Sequence, residues 1–112
     1  MNMELTDMEP QFKIEIKNGN ISDTVHFHGN IDSHSDNHME GLNKRINKKS
    51  VVLDFSETGR INSMGVAILL RSIKSLKAEK NAEISIQGAN KTNAMLFKMT
   101  GIFLLAPETK RL

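Results

Sequence analysis

The residues best placed for chemistry form a short polar turn, Asn62-Ser63-Met64-Gly65, in front of an amphipathic helix. The start of a helix has unpaired backbone N–H groups and a partial positive charge, so it can accommodate an anion. Ser63 offers a hydroxyl there. Open α/β sheets usually carry their functional groups where strands end and helices begin. The turn is therefore the first candidate for a binding or modification site.

The four histidines form two closely spaced pairs that resemble metal ligands in spacing. His26 and His28 alternate onto one face of a strand, whereas His34 and His38 are four residues apart and could share a helix face. Two such pairs could in principle bind zinc. However, the first pair lies in a predicted hairpin, and no cysteine or suitably placed acid completes a zinc signature. We expect these side chains to face solvent, and we predict no metal and no cofactor.

No combination of residues indicates catalysis. The sequence has no credible Ser/His/Asp arrangement, no glycine-rich phosphate loop and no paired acids in a supporting context. The absence of cysteine also excludes a thiol nucleophile and a disulfide framework. We therefore predict that the protein is not an enzyme.

A strand and a helix between Ser50 and Lys80 position the turn. A short apolar run predicts a strand covered on both faces, with Asp54 near its carboxyl end: Val51, Val52, Leu53 and Phe55. A polar loop over Ser56–Asn62 should follow. Apolar residues then recur with the i, i+3, i+4, i+7 spacing of one helix face: Val66, Leu69, Leu70, Ile73 and Leu76.

A hairpin and a weak helix should precede this unit. Alternating apolar residues predict a first strand: Phe12, Ile14 and Ile16. The turn Asn18-Gly19-Asn20 leads to a second strand, Thr24–His28, and the two strands should pair. A helix of low propensity within Ser33–Asn47 should bury three apolar side chains: Met39, Leu42 and Ile46.

The segments after the central helix complete an α/β pattern. We expect a strand at Glu83–Gln87, a helix at Lys91–Met99 capped by Asn90, and a last short strand at Ile102–Leu105. The order β-β-α-β-α-β-α-β predicts an α/β fold, in which helices pack on a mixed sheet of about four to five strands.

The composition predicts a single cytoplasmic domain. The chain of 112 residues is long enough for one sizeable core, mostly aliphatic because only 4% of its residues are aromatic. Residues 1–10 show no periodicity, so we expect a flexible lead-in followed by one domain over 11–112. No apolar run could span a bilayer, and the acidic N-terminus does not resemble a signal peptide. The net charge of +2 and the lack of Trp and Tyr argue against nucleic-acid binding.

Three matches in order make the chain resemble a STAS domain, the module of bacterial anti-sigma-factor antagonists and of sulfate-transporter cytoplasmic tails. The central match comprises the strand VVLDFS, the turn Asn62-Ser63-Met64-Gly65 and the helix start VAILL. Gly29-Asn30-Ile31-Asp32 resembles the family's Gly-x-Leu-Asp after the second strand. Met99-Thr100-Gly101-Ile102-Phe103 resembles its apolar-x-Gly-Leu-x turn. Together the matches cover residues 12 to 106.

The resemblance implies a STAS-like bacterial, cytoplasmic protein of signal transduction and transcription regulation that acts by partner switching. The implied protein partner is an anti-sigma factor or serine switch kinase of the ATPase fold, with no nucleic acid and no direct membrane insertion. In the family, the second Ser of an Asp-Ser-Ser-Gly turn accepts a phosphate, and the partner then no longer binds. Alternatively, the chain resembles the STAS subunit of an ABC-type lipid transporter or a small-molecule sensor. The partner's identity and the oligomeric state stay open.

The turn departs from the family pattern at the acceptor position, which is Met64 and cannot be phosphorylated. Asn62 replaces the preceding Asp, and Ser63 matches the first Ser of the pattern. Three interpretations follow. The domain binds its partner constitutively, or Ser63 is the phosphoacceptor after a small shift of register, or the turn is structural and Ser63 is the helix N-cap. A kinase partner would place phosphate on Ser63 or on nearby Thr58.

The predicted partner-binding residues are the turn and three side chains: Asp32, Asp54, Asn62, Ser63, Met64, Gly65 and Arg71. Met64 would be an adaptable docking side chain, but it could equally pack in the core. Gly65 would let a partner's backbone approach closely. Asp32 could instead cap the following helix, and Asp54, beside the turn, could be a satisfied loop carboxylate. Arg71 either flanks the interface or belongs to a solvated helix face.

Overall fold

Four strands form one mixed sheet in the computed structural model, which describes residues 11–109. They lie across the sheet in chain order: β1 (Lys13–Asn18), β2 (Ser22–Ile31), β3 (Ser50–Ile61) and β4 (Glu83–Gln87). β1 and β2 form the predicted antiparallel hairpin, whereas β2, β3 and β4 run parallel. The predicted α/β class with a mixed sheet is confirmed. The predicted lead-in over 1–10 lies outside the described residues.

The described part of the chain has one long helix and three shorter ones: α1 (Asp36–Met39), α2 (Ser63–Lys80), α3 (Lys91–Thr100) and α4 (Ile102–Leu105). The amphipathic pattern of α2 is confirmed, since one side of the helix is buried: Val66, Ile68, Leu69, Ile73 and Leu76. Asn90 caps α3 as predicted, because its Oδ1 accepts the Asn93 backbone N–H at 2.8 Å. Within residues 11–109, no helix combines the length and the apolarity that crossing a membrane requires.

The segment between β2 and β3 differs from the single helix predicted within Ser33–Asn47. It contains 3-10 turns at Ser33–Ser35 and Leu42–Arg45, with α1 between them. Gly41 separates α1 from the second turn because its φ of 77° is left-handed. The predicted anchors are nevertheless confirmed as buried side chains: Met39, Leu42 and Ile46.

β3 is longer than predicted, and the expected loop over Ser56–Asn62 does not form. The strand continues to Ile61 because its last part pairs with the end of β2: Glu57, Thr58 and Ile61 with His28, Gly29 and Ile31. Two register shifts interrupt this part of the ladder, so its polar residues lack the alternation that identifies a strand from sequence. Asp54 therefore lies in the middle of β3 and not near its carboxyl end.

The predicted last strand at Ile102–Leu105 is wrong, because this segment forms helix α4. Gly101 has a φ of 83°, which ends α3 and lets the chain turn directly into another helical turn. Ile102 is buried in the core, whereas Leu104 is 88% exposed. The apolar run thus reflects a short helix that is buried on one side only.

Residues 107–109 extend beside β4 after this helix. The Ile86 N–H donates to the Pro107 carbonyl at 2.9 Å, and the Thr109 N–H donates to the Ile86 carbonyl at 2.7 Å. Ile86 and Glu108 form a parallel bridge. The chain therefore lines the outer edge of β4 without forming a full fifth strand.

The core lies between the helices and one face of the sheet. The rings of Phe27 and Phe55 stack with centroids 4.9 Å apart, and Phe55 packs against Phe97 of α3 at 4.9 Å. Aliphatic side chains supply most of the remaining core, as the composition predicts. The other face of the sheet carries half-buried polar side chains: Thr24, His26, Ser85 and Gln87. On this face β3 contributes the half-buried Val52 and the buried Asp54, so the described residues cover this face of the strand in part.

The buried carboxylate of Asp23 joins the hairpin to the segment that enters β3. It accepts hydrogen bonds from Asn18 Nδ2 at 2.9 Å, from the Lys48 N–H at 2.8 Å and from the Asn47 N–H. Burial alone would raise the pKa of Asp23, but the hydrogen bonds from Asn18, Lys48 and Asn47 outweigh it and hold the pKa below its ordinary value. Asp23 therefore stabilises the fold as an anion.

We expect Asp23→Asn to lower the free energy of unfolding by about 1–3 kcal/mol at pH 7, because an amide cannot accept the same hydrogen bonds. Since the folded-state pKa is depressed, this stabilisation is present above the ordinary Asp pKa of about 3.9 and is lost as the pH falls through the folded-state pKa. The deficit of the variant should therefore shrink towards pH ~3. Urea denaturation at each pH measures the difference in the free energy of unfolding between variant and wild type. Glu57→Gln, at an exposed position, is the control. A deficit independent of pH would contradict the anionic role.

Candidate functional site

The ends of β2 and β3 bring Asp32 and the Asn62–Gly65 turn to one edge of the sheet. Ile31 and Ile61 are partners at the ends of these parallel strands. The Asn62 N–H donates to the Ile31 carbonyl at 3.2 Å. Asp32 and Asn62 are the next residues along each chain segment, so both lie at the carboxyl edge, where open α/β sheets bind ligands and partners.

Asn62 caps α2, and the interpretation in which Ser63 is the cap is wrong. The Asn62 Oδ1 accepts the Gly65 N–H at 2.8 Å, and its carbonyl accepts the Val66 N–H at 3.0 Å. Its backbone is extended, with φ −94° and ψ −177°, as in other N-cap residues. Ser63 is an exposed residue of the first helical turn. Its hydroxyl is therefore not used to cap the helix.

Gly65 faces the interior and not a partner. It is buried, and a Cβ atom at this position would overlap the Ile31 carbonyl. The missing side chain allows α2 to approach the end of β2 at backbone distance. The expectation that Gly65 would admit the backbone of another protein is therefore corrected, because Ile31 of the same chain occupies that space.

Met64 lies on the surface, at the start of an exposed stripe along α2. Its side chain is 50% exposed, which decides between the docking and core interpretations in favour of the surface. Ala67 and Arg71 are also exposed and continue the stripe at i+3 and i+7. The Arg71 Nη1 lies 3.5 Å from Asp36 Oδ1. Since such exposed pairs contribute only about 0–1 kcal/mol, Arg71 can leave Asp36 for another acceptor.

A groove of about 380 Å³ lies beside this stripe, between α2 and residues 36–44. Asn43 links its two walls, because its Nδ2 donates to Ser75 Oγ and to Glu79 Oε1, both at 2.8 Å. Acidic and basic side chains both line it, including Glu40 and Lys44. This groove cannot be predicted from the sequence, because its walls are far apart along the chain and neither carries a motif.

Asp32 has the geometry of the capping alternative. Its Oδ1 accepts the His34 N–H at 2.9 Å, and its own N–H donates to Ser35 Oγ at 3.1 Å. The reciprocal contacts of Asp32 with the backbone and the hydroxyl of Ser35 form a capping box at the first 3-10 turn. The side chain is 35% exposed, so one edge of the carboxylate still faces the surface beside the turn.

Asp54 lies away from the turn, on the polar face of the sheet. It is seven residues before Ile61, which places it about 20 Å from the end of β3, where the turn begins. Its carboxylate accepts bonds from the hydroxyl and N–H of Ser56, and His26 Nδ1 is 2.6 Å from Oδ2. Burial opposes ionisation, but the bonds from Ser56 and His26 outweigh it and lower the pKa of Asp54. It is a satisfied strand carboxylate, and its predicted place beside the turn is wrong.

The histidines of β2 contact acids, contrary to the expectation that they face solvent. His26 pairs with Asp54, and His28 Nε2 lies 2.6 Å from Glu15 Oε1 without the alignment of a hydrogen bond. Both imidazoles are only 24% exposed. Among residues 11–109, no three potential ligands are grouped as a metal site.

Thr58 is a poor candidate for phosphorylation. Its side chain is 8% exposed, and its hydroxyl donates to the Phe27 carbonyl at 3.2 Å. A kinase could reach this hydroxyl only if β3 separated from β2. Of the two hydroxyls considered from the sequence, Ser63 alone is exposed.

A family model described as the STAS domain matches residues 11–110. The chain belongs to the STAS domain family. The match includes every strand and helix of the described structure, and it confirms the resemblance inferred from the sequence motifs. No curated protein matches this STAS domain significantly.

Several solved structures share the fold of this STAS domain at low sequence identity. An anti-sigma factor antagonist from Mycobacterium paratuberculosis matches with a TM-score of 0.73 and 16% identity, over 91% of this chain and 88% of that one. The unphosphorylated Bacillus antagonist SpoIIAA matches with a TM-score of 0.67 and 14% identity, over 90% of each chain. A sulfate transporter family protein from Wolinella succinogenes matches with a TM-score of 0.67 and 12% identity, over 79% of this chain and 73% of that one. These likenesses show the fold alone.

We expect Gly65→Ala to lower the free energy of unfolding by about 1–3 kcal/mol, because the added methyl group forces α2 away from Ile31. Urea denaturation measures the loss. Ala78→Ser, at an exposed position of the same helix, is the control and should change stability by less than about 0.5 kcal/mol. Equal stability of Gly65→Ala and wild type would show that the close contact between α2 and β2 is not required.

Proposed function

We propose that this STAS domain is a non-enzymatic cytoplasmic regulator that binds an ATPase-fold anti-sigma factor or switch kinase. The surface through which it binds, here the docking surface, comprises Asp32, Asn62, Ser63, Met64 and Arg71. The observation that carries the proposal is Met64, an exposed apolar side chain at the position where the family has its phosphoacceptor. Similarity of fold to anti-sigma factor antagonists supports the class of partner.

The docking surface combines an apolar centre with a polar rim. Met64 has three rotatable side-chain bonds and a polarisable sulfur, so it can fit an irregular cleft in a partner. Asn62 and Ser63 lie beside it, and Arg71 lies two helical turns away with an easily broken ion pair. Interfaces are commonly stabilised by such a buried centre, while their rim sets orientation and excludes water.

The proposed binding is constitutive, because a thioether cannot accept a phosphate. In a phosphorylatable relative, charge at the helix start is tolerated by the helix dipole but opposes a docked partner. Met64 removes that means of release. Ser63 is the remaining exposed hydroxyl of the turn, so its modification is the alternative that an experiment must address.

Two residues named from the sequence act outside the docking surface in this proposal. Gly65 sets the distance between α2 and β2, and therefore holds Met64 and Asn62 in place. Asp54 is about 20 Å away along β3 and makes its bonds within the sheet. Substitution of either should affect stability before it affects recognition.

Met64→Asp should weaken partner binding at least tenfold, about 1.4 kcal/mol, because a charge replaces the apolar centre of the interface. Stability should be unchanged or slightly raised, since an acid near a helix start is favourable. Met99→Asp, the same change at an exposed position of α3, is the matched control and should bind normally. The partner would first be captured from the host with the tagged domain, and its affinity then measured by calorimetry with the purified proteins.

The captured protein distinguishes the candidate functions. An ATPase-fold regulator sensitive to Met64→Asp supports the proposal. A transporter ATPase subunit would indicate instead a fixed subunit of an ABC-type lipid transporter. Unchanged binding by Met64→Asp would place the interface elsewhere on the domain.

Ser63 should remain unmodified when the purified domain is incubated with that partner and ATP, and intact-mass spectrometry measures any added phosphate. Ser63→Ala should bind with an affinity within about twofold of wild type, because the hydroxyl neither caps α2 nor fills the apolar centre. Stoichiometric phosphate on Ser63, together with partner release that Ser63→Ala prevents, would establish a phosphoserine switch and refute constitutive binding.

A further inference from the structure

An apolar patch lies on α3 and α4, away from the docking surface of α2. Met95 is 55% exposed, Met99 is 78% exposed and Leu104 is 88% exposed. Three of the five large apolar side chains found exposed in residues 11–109 therefore belong to these two adjacent helices. Isolated exposed apolar residues are common, but a group of them on one face indicates an interaction site.

Met95 and Met99 share one face of α3, and Leu104 lies beside the end of that helix. Met95 and Met99 are four residues apart on α3, so they are neighbours on the helix surface. Leu104 folds back towards the end of α3, because its Cδ1 lies 3.9 Å from the position of a Cβ atom built on Gly101. We name this group, with the lysines described next, the α3–α4 surface.

The charged residues that accompany the patch on α3 are basic. Lys91 and Lys98 are exposed on α3, at i−4 from Met95 and directly before Met99. Lys77 of α2 reaches the same region, since its Nζ donates to the Leu105 carbonyl at 3.0 Å. No Asp or Glu occurs between Glu83 and Glu108. The charged residues of the segment that contains α3 and α4 are therefore all basic, and positive charge borders the patch.

We propose that the α3–α4 surface binds an amphipathic helix with an acidic polar face, supplied by a second partner protein. The apolar side of that helix would cover Met95, Met99 and Leu104, and its acids would face the lysines. Methionine suits this role because it adapts to helices of different side-chain shape.

The charge pattern favours this occupant over two others. A second copy related by a two-fold axis would bring lysines against lysines, which is unfavourable at an interface. An anionic membrane is usually recognised by clusters of about four to eight basic residues, more than the three lysines around this patch. An amphipathic acidic helix complements both parts of the surface, because its apolar side covers the patch and its acids pair with the lysines.

The test uses a fluorescein-labelled helical peptide of about 18 residues, five turns, with leucines along one face and glutamates on the other. Its matched control peptide has lysine at each glutamate position. Fluorescence anisotropy should show that the 112-residue chain binds the acidic peptide at least tenfold more tightly than the basic one. The affinity should fall when the salt concentration rises from about 50 mM to about 500 mM.

Variants locate the binding. Met99→Ser combined with Leu104→Ser should weaken binding of the acidic peptide at least tenfold, and Lys91→Glu combined with Lys98→Glu should do the same while improving binding of the basic peptide. Ile21→Ser, an exposed apolar position outside both surfaces, should leave binding of the acidic peptide unchanged. Since all of these side chains are exposed, circular dichroism should show unaltered folding.

Several results would overturn the proposal. Equal affinity for the two peptides, or insensitivity to the α3–α4 substitutions, would exclude an acidic helix as occupant. Self-association in light scattering that the Met99→Ser and Leu104→Ser changes abolish would assign the surface to a second copy. Sedimentation with phosphatidylserine vesicles that is lost in Lys91→Glu and Lys98→Glu, without peptide binding, would assign it to a membrane. Failure of these tests would leave the function proposed for the α2 surface unaffected.

Discussion

The contact on which the candidate site depends is the approach of α2 to the end of β2. The Asn62 N–H bonds to the Ile31 carbonyl, and Gly65 lies against the same carbonyl where no side chain fits. Because Asn62 also caps the helix, one residue fixes both the direction of α2 and its distance from the sheet. Met64 lies between these two fixed points and must project outwards. Met64 is therefore exposed because of the backbone packing around it, although its side chain is apolar.

The periodic parts of the fold could be predicted from the sequence, whereas the irregular parts could not. The apolar residues of β1 recur every two residues, and those of α2 recur about every 3.6 residues. Because each element is buried on one side, this spacing identifies it in the sequence. The second half of β3 has no such repeat, because its pairing with β2 shifts register twice. Helix α4 could not be recognised from the sequence either, because four consecutive apolar residues fit a strand as well as a helical turn. The left-handed backbone of Gly101 directs this segment into the helical turn. The predicted α/β class is nevertheless correct, because it depends on the order of strands and helices along the chain and not on their exact bounds.

For the site, the sequence located the turn but not the roles within it. Asn and Ser both cap helices, and their order along the chain does not reveal which side chain reaches back to the third amide. A strand that ended near Phe55 would put Asp54 beside the turn, but β3 continues to Ile61, and these further residues span about 20 Å of extended chain. The groove between α2 and residues 36–44 forms only when these two segments pack together, so no local sequence pattern predicts it.

The edges of the sheet have a consequence for how the domain can be recognised. A free edge strand invites another chain to add a strand, which leads to strand-addition complexes or to aggregation. Here Pro107 and Thr109 use both backbone hydrogen bonds of Ile86 on the outer side of β4. At the opposite edge, Lys13 and Lys17 alternate along the short β1, and such lysines discourage strand addition. Both edges are thus poorly suited to strand addition, so a protein that bound this domain would meet side chains of the helices and not free backbone groups.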